Sequence, residues 1–423
     1  MTTASEDLTI VDNRLFKAIC LHQILNPNNG GNRYYRIAFL ASMILLLVVQ
    51  IIQLVGLYFA VNDLPRIAFT TTMVSNALLC LSKGFVLVTN ADRLRDGLEA
   101  ARYEFTSCGF RDQRAAHQAR TALSTVLRTF VVLSYVTCFI WMLTPLSLMD
   151  DYLSVTNADG TVSRYRITIF NIWLPVPVTV YNAPTVWAFI YGVEMVVCFV
   201  NVFSWLLFDS YVITMCFTFS AQFRALSASF ATIGHRRPLR LPLLHGTSTR
   251  IIKTDDDNIL NYHDELINRI QDNQKIIKKY DDFFEVIKPA ILLQIISGSY
   301  SVITLIFLTS LTYLMGFPII SGPVLKAFFG FLSVTIQLFL YCYVFNYIET
   351  EKSAVNFGLY SSNWTTLDLK FKKTLLLAMT MNSAHRRVMK VSPTSIINLE
   401  MFANVMNMSY SIVSVLLNSR TGK

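Results

Sequence analysis

Long apolar runs alternate with charged connections along this chain. Seven runs, near 38–60, 66–89, 122–148, 185–218, 287–315, 324–348 and 399–417, are long enough to be predicted as membrane helices. About 20 residues at about 1.5 Å each span roughly 30 Å of hydrocarbon. The first, AFLASMILLLVVQIIQLVGLYFA, carries no charge. The second holds Lys83 near one end, where a long stem is expected to snorkel to the interface. The opening stretch, MTTASEDLTIVDNRLFKAIC, has neither an apolar core nor a small-residue cleavage site, so the first run is expected to anchor the chain itself. In the seventh run, Asn404, Asn407, Ser411, Ser414 and Asn418 recur every three or four residues and predict one polar stripe on a helix.

The connections carry their own patterns. IGHRRPLRLPLLHGTSTR reads as loop from its Pro and Gly breakers. It is followed by an amphipathic stretch in which Ile259, Tyr262, Leu266, Ile270 and Ile277 recur near the helical period and lead directly into the fifth run. The fourth run likewise overshoots through TFSAQFRALSASF. Such overruns on one side predict a helical bundle outside the membrane; the alternative is long but independent helix ends. Around DLKFKKTLLLAM an extra helix is expected, too polar to span. Before the seventh run, Pro393 breaks the structure, Asn398 supplies a cap and Glu400 suits the positive end of the helix dipole.

Charge gives these elements a direction. The net charge is +9, and 30 of the 36 lysines and arginines fall on one side of the seven-helix arrangement. By the positive-inside rule that side, with the N-terminus, is expected to be cytoplasmic and the C-terminus extracellular. This is the reverse of a G-protein-coupled receptor. The basic excess is then a topology signal near anionic lipid, not a nucleic-acid footprint. The seven cysteines fall in cytoplasmic segments or inside helices, so no extracellular disulfide is expected. Sequons at Asn363 and Asn407 fall in a cytoplasmic segment and inside the last helix, where no glycan is expected.

Reactive chemistry is absent from the pattern. The histidines at 22, 117, 235, 245, 263 and 385 have no ligand spacing, and His235 and His263 are expected on a solvated surface. No phosphate-loop, dinucleotide, nucleophile-elbow or zinc-protease motif occurs, so neither enzyme, metal nor cofactor is expected. Two acids lie within the fourth run. Asp209 is expected to make a structural hydrogen bond or salt bridge near the cytoplasmic end. Glu194 is divided between an interhelical hydrogen bond and a place near a ligand cavity. No lysine or arginine lies deep in another run to match them, which argues against a proton-coupled pump. The outer halves of the second to sixth runs are aromatic and soft. Met73, Tyr135, Phe139, Met142, Phe189, Ile190 and Tyr300, with Thr304 and Glu194 as polar handles, are candidates for an apolar ligand pocket. Ordinary membrane packing and an interfacial aromatic belt form the competing explanation.

From the sixth run onward the residues become specific. QLFLYCY, then Ser353, Tyr360 and Trp364, DLKFKKTLLLAM, Phe402 and SYS at 409–411 stand in an order that resembles the C-terminal signature of insect odorant receptors. KIIKKYDDFFEVIKPAILLQIISGS, YNAP, Asp209 and QF at 222–223 resemble the same family upstream. Phe345, Arg387 and Asn273 depart from its usual small residue, proline and histidine. The TY…QF ending of gustatory receptors is missing, and the connection between the fourth and fifth runs is shorter than in the family's shared coreceptor. The chain therefore resembles an odorant-tuning subunit.

The resemblance implies an all-α membrane protein with seven transmembrane helices, a cytoplasmic anchor region and a split seventh helix. It divides the chain into a cytoplasmic N-terminus (1–37), four spans on the odorant-pocket side (38–223), a cytoplasmic connection (224–286), spans five and six (287–348), a cytoplasmic segment (349–398) and a pore helix (399–417). It further implies an odorant-gated, non-selective cation channel in the plasma membrane of olfactory neurons, built as a heterotetramer with the coreceptor and opened by volatile odorants or pheromones. Tyr360, Trp364 and Phe371 become subunit-anchor candidates, and Val413 and Leu417, with Leu416 beside them, become the gate. Met406, Tyr410, Val413 and Leu417 share one face, about 130° from the polar stripe at about 100° per residue. That stripe is accordingly expected to bond to spans five and six, and the apolar face to close the pore by dewetting. A seven-transmembrane G-protein-coupled-type chemoreceptor is the alternative, and a transporter the third choice.

Overall fold

The computed structural model describes residues 9–11, 13–26, 32–58, 64–107, 113–149, 151–156, 162–172, 174, 176–235, 255–314, 321–385, 388–391 and 396–421. Two short helices, α1 (Asn13–Ala18) and α2 (Leu21–Leu25), precede the long α3 (Asn32–Tyr58) and α4 (Leu64–Thr89). A short α5 (Ala91–Gly97) leads to α6 (Gln113–Ser147), which ends at the antiparallel hairpin β1 (Tyr152–Thr156) and β2 (Val162–Arg166). After α7 (Val178–Tyr181) come α8 (Pro184–Ala231), α9 (Asp255–Leu314), α10 (Gly322–Tyr360), α11 (Leu369–Ala384) and α12 (Leu399–Thr421). Among the described residues α3, α4, α6, α8, α9 and α10 are long and apolar enough to cross a membrane. They coincide with the first six apolar runs, and α12 begins with the seventh. The side chains of Ile259, Leu416 and Leu417, and Arg387 altogether, lie outside the described residues.

Helix α8 is the axis of the bundle. Every residue from Leu206 to Phe223 is buried, because this stretch is apolar or small around its whole circumference and neighbours pack on every side. Its Asp209 and Gln222 find partners, the latter donating from Nε2 to Ala100 O at 2.9 Å. Lys83 is not at an interface: it is fully buried, with Nζ 2.5 Å from Asp209 Oδ1. Gln337 Nε2 and Tyr341 OH donate to the same carboxylate, each at 2.5 Å, and Gln294 Nε2 donates to Gln337 Oε1 at 3.2 Å. The sequence thus did contain a deep basic partner for Asp209, and this cluster ties α4, α8, α9 and α10 together. A second polar seam joins α4 to α9 through Thr71 and Tyr300, Thr72 and Thr304, and Ser75 and Ser297, with oxygens 2.5, 2.7 and 2.8 Å apart. Paired hydroxyls of this kind hold apolar helices together where burial alone supplies no preference.

At the end opposite the hairpin, the overruns form one packed body. The amphipathic stretch and the fifth run are one continuous 60-residue helix, α9. Leu266 is buried there, and Tyr262, Ile270 and Ile277 pack on the core. Arg269 pairs with Glu265 and donates to the Ser229 carbonyl of α8. His263, expected on the surface, is buried with Nε2 3.4 Å from Thr374 Oγ1. Gly358 of α10 meets the Ser227 backbone so closely that a Cβ would collide with its carbonyl. We expect Gly358→Ala to lower stability by about 1–3 kcal/mol, the usual cost of overpacking. Thermal melting of the detergent-solubilised chain would measure it, and an unchanged melting point would refute the close approach.

Helix α11 is capped by Asp368, whose Oδ1 accepts from Phe371 N at 3.1 Å. Its inward face is Phe371 and Leu375, while Leu369, Leu376, Leu377 and Met381 are exposed. Phe371, expected as a subunit anchor, is therefore a core residue of its own chain. The other two candidates differ from it: Tyr360 is exposed and packs on half-buried Trp364 at 6.3 Å between ring centroids.

Asn398 caps α12, Oδ1 accepting from Met401 N at 2.9 Å. The expected orientation of its polar stripe is corrected. Phe402, Val405, Met406 and Ser409 face the bundle, with Phe402 against Phe339 of α10 at 5.4 Å. Asn404, Asn407 and Ser411 are exposed on the opposite side, Tyr410 is exposed beside them, and Val413 is half-buried. The larger apolar side chains take the packed face, since burying unpartnered amides against α9 and α10 would cost more.

Candidate functional site

Between the helices near the hairpin end lies a mostly apolar cavity of about 90 Å³. Leu46 and Val49 of α3, Met73 and Ala77 of α4, Cys138 and Trp141 of α6, Val197, Cys198, Asn201 and Trp205 of α8, Leu305 of α9 and Val334 of α10 form its walls. A larger cavity of about 440 Å³ lies alongside, bounded by Arg66, Phe69, Thr144, Leu148, Leu308 and Lys326 and by the β1 residues Tyr152, Leu153 and Ser154. Trp141, Phe170 and Leu305 line both, so these three side chains are the partition.

The partition is held by a loop that dips into the bundle. Residues 167–172 follow β2, and Asn171 adopts a left-handed backbone, φ 51°, which asparagine tolerates better than most residues. Glu194 of α8 receives this loop. It accepts from Thr168 Oγ1 at 3.0 Å, Phe170 N at 3.0 Å and Ile172 N at 3.2 Å, all buried. Opposite it, Lys326 Nζ of α10 donates to Ile169 O at 2.5 Å and lies over the rings of Trp141 and Phe69, 4.9 and 5.1 Å from their centroids. Trp187 Nε1 donates to Ile167 O at 3.1 Å. The loop's backbone polar groups, which would be costly inside a bundle, are thus taken up by Glu194, Lys326 and Trp187, by the Thr168 and Asn171 side chains within the loop and by Tyr181 OH. Gly330 of α10 makes room for the Trp141 indole, since a Cβ there would stand 3.0 Å from its Cζ2.

The candidates named from sequence are dispersed by this geometry. Met73 lines the inner cavity. Glu194 anchors the loop instead of bonding another helix, and it lines neither cavity. Ile190 is buried and Met142 half-buried, but outside both linings; the Met142 carbonyl accepts from Tyr191 OH at 2.7 Å. Tyr300 and Thr304 serve the α4–α9 seam. Tyr135, Phe139 and Phe189 point outward from the bundle, the last 72% exposed. Each has a cavity-lining or buried neighbour one position away, such as Cys138 beside Phe139, because one residue turns a helix by about 100°. In spans that are apolar on all sides, the sequence carries no amphipathic stripe to say which face looks inward. The residues missed were Cys138, Phe170, Asn201 and Trp205, and also Lys326. A polar residue isolated within an apolar run, as Asn201 is, was the one available signal.

The sequence matches the family described as 7tm Odorant receptor over residues 63–410, most of the chain. The chain belongs to the insect odorant receptor family. It is similar to Odorant receptor 33b of Drosophila melanogaster, 23% identical over 193 residues, which is 44% of this chain and 46% of that protein. It is also similar to Odorant receptor 46a, isoform B, of the same organism, 30% identical over 80 residues, or 19% of this chain and 21% of that protein. The chain therefore aligns with less than half of the length of these two relatives. In fold it is similar to the insect olfactory receptor OR5 from Machilis hrabei, solved with eugenol (TM-score 0.73, 13% identity) and without it (0.69, 12%). The former likeness covers 96% of this chain and 98% of that one, the latter 96% and 97%. This odorant receptor family member is a multi-pass membrane protein, and its long apolar helices are the spans.

Proposed function

We propose that this chain is an odorant-tuning subunit of an odorant-gated, non-selective cation channel, assembled with the odorant receptor coreceptor as a heterotetramer in the plasma membrane of olfactory neurons. The basic end, with the N-terminus and α11, faces the cytoplasm, and the hairpin end faces outside. A volatile odorant or pheromone occupies the inner cavity behind Trp141 and Phe170. The observation that carries this is the apolar cavity between the helices, walled in part by a loop that buried Glu194 and Lys326 hold in place. Such a chamber suits an uncharged ligand with few polar groups. The eugenol complex of the Machilis receptor supports a small volatile as occupant. Ligand binding shifts the equilibrium towards the open state by the difference in its affinity for the two states. Around a central axis, the α12 helices of the subunits form the pore, with a constriction at Val413 and Leu417 and Leu416 beside it. Exposed Tyr360, with Trp364, contributes to the subunit contacts.

The test is current recorded from cells expressing this chain with and without the coreceptor, against volatile alcohols, esters and aldehydes, with G-protein signalling blocked. A rapid cation current that needs both chains is expected. A second-messenger response from this chain alone, with no current when the coreceptor is present, would return the assignment to a G-protein-coupled-type chemoreceptor.

A further inference from the structure

The inner cavity is apolar, yet three polar atoms of its lining residues are buried without a hydrogen-bond partner among the described residues: Trp141 Nε1, Asn201 Oδ1 and Trp205 Nε1. Buried polar groups are nearly always satisfied, and an exception beside a cavity points to a partner that enters it. Gln53 and Ser333 also line the wall, and some of its other polar side chains have partners. Thr137 Oγ1 donates to Leu133 O at 2.9 Å, Asn76 Oδ1 accepts from Ser301 at 3.4 Å, and the Cys138 and Cys198 sulfurs lie 3.8 Å apart. Asn201 and Trp205 are one turn apart on α8, so their side chains share a face that carries both an acceptor and a donor. An ether, ester or ketone oxygen could satisfy only the indoles, and a hydrocarbon neither. A hydroxyl satisfies both kinds, donating to Asn201 Oδ1 and accepting from an indole N–H.

We propose that the ligand of this cavity carries a hydroxyl group, an alcohol or phenol, which bonds between Asn201 and Trp205; this rests on the cavity being the odorant site. Trp141 Nε1, in the notch left by Gly330, offers a donor to a second oxygen. Size sharpens the class. An apolar cavity of about 150 Å³ accepts benzene, so a chamber of about 90 Å³ suits a ligand of few heavy atoms. A longer one extends past Trp141 into the adjoining cavity.

The test uses the full chain expressed with the coreceptor and two matched series: benzyl alcohol, benzyl methyl ether and toluene, then hexan-1-ol, 1-methoxyhexane and heptane. Half-maximal responses to one or both alcohols are expected at concentrations ten- to a hundredfold below those of their ethers and hydrocarbons, the usual range for one satisfied against one orphaned buried partner. Asn201→Leu and Trp205→Phe should each pull that ratio towards one. Surface biotinylation checks delivery, and Trp205→Phe, which keeps an aromatic ring but removes the N–H, decides the matter if Asn201→Leu is retained inside the cell. Ethers or hydrocarbons as potent as the alcohols, silence to both alcohols, or ratios untouched by the delivered variants would overturn the proposal. Ala77→Phe, which fills the cavity, separates this from failure of the site. If it leaves every response intact the ligand sits elsewhere; if it abolishes them while the ratios ignore Asn201 and Trp205, only the hydroxyl class is wrong.

Discussion

Replacing Asp209 with leucine is expected to destabilise the bundle by about 3–5 kcal/mol, the range for removing one partner from a buried ion pair. Lys83 would be left charged and fully buried, with only the faces of Trp205, Phe208 and Tyr341 at 5.6–6.0 Å to stabilise it. Gln337 and Tyr341 would lose their acceptor at the same time. The double substitution Lys83→Met with Asp209→Leu should recover much of the loss, because an apolar pair of similar volume is often as stable as the buried ion pair it replaces. Melting curves of the solubilised chain provide the comparison. A single variant as stable as the parent would show that the pair is dispensable. A double variant no better than the single one would show that the hydrogen-bond cluster, not the charge pair, holds the four helices.

The second large effect is expected at Glu194. Its carboxylate takes three donors from the loop between β2 and α7, of which the Thr168 hydroxyl also has Tyr181 OH beside it. Glu194→Ala leaves the buried Phe170 and Ile172 amides unpaired, a loss of about 3 kcal/mol or more. The loop over the cavity would then open at least a hundredfold more often. Hydrogen exchange at the Phe170 and Ile172 amides reads this directly: slow in the parent, faster by that factor in the variant. Glu194→Gln keeps one acceptor oxygen and should fall between. Because Phe170 is part of the wall between the two cavities, odorant responses should weaken in the same order. Exchange rates that ignore the substitution would mean that Lys326 and Trp187 suffice to hold the loop.

Both predictions concern polar groups placed where apolar burial sets no register. Within a bilayer, one apolar helix face packs about as well as another, so discrete hydrogen bonds and ion pairs select the arrangement. The Lys83–Asp209 cluster fixes the middle of the bundle, and the Thr and Ser seam fixes α4 against α9. Glu194 and Lys326 fix the loop that forms part of the cavity wall. The same logic explains α12, where the amides of Asn404 and Asn407 stay exposed, away from the chain's own bundle.

What the sequence by itself determined was the set of elements. Runs of about 20 apolar residues specify membrane helices whatever lies beside them, so six spans and the start of α12 were legible, as was the Asn398 cap. The helical period of Leu266 and its neighbours foretold the extension of α9, and the ordered motifs after residue 337 were enough to indicate the family. What only the tertiary structure decided was which face of each span turns inward. Phe139 and Phe189 look like pocket residues, but Cys138 and Asn201 line the cavity. Lys83 looks like an interfacial lysine, but it is the buried partner of a residue 126 positions away. A span that is apolar all round gives the sequence no face to mark, and a partner distant in the chain becomes visible only when helix packing brings the two side chains together.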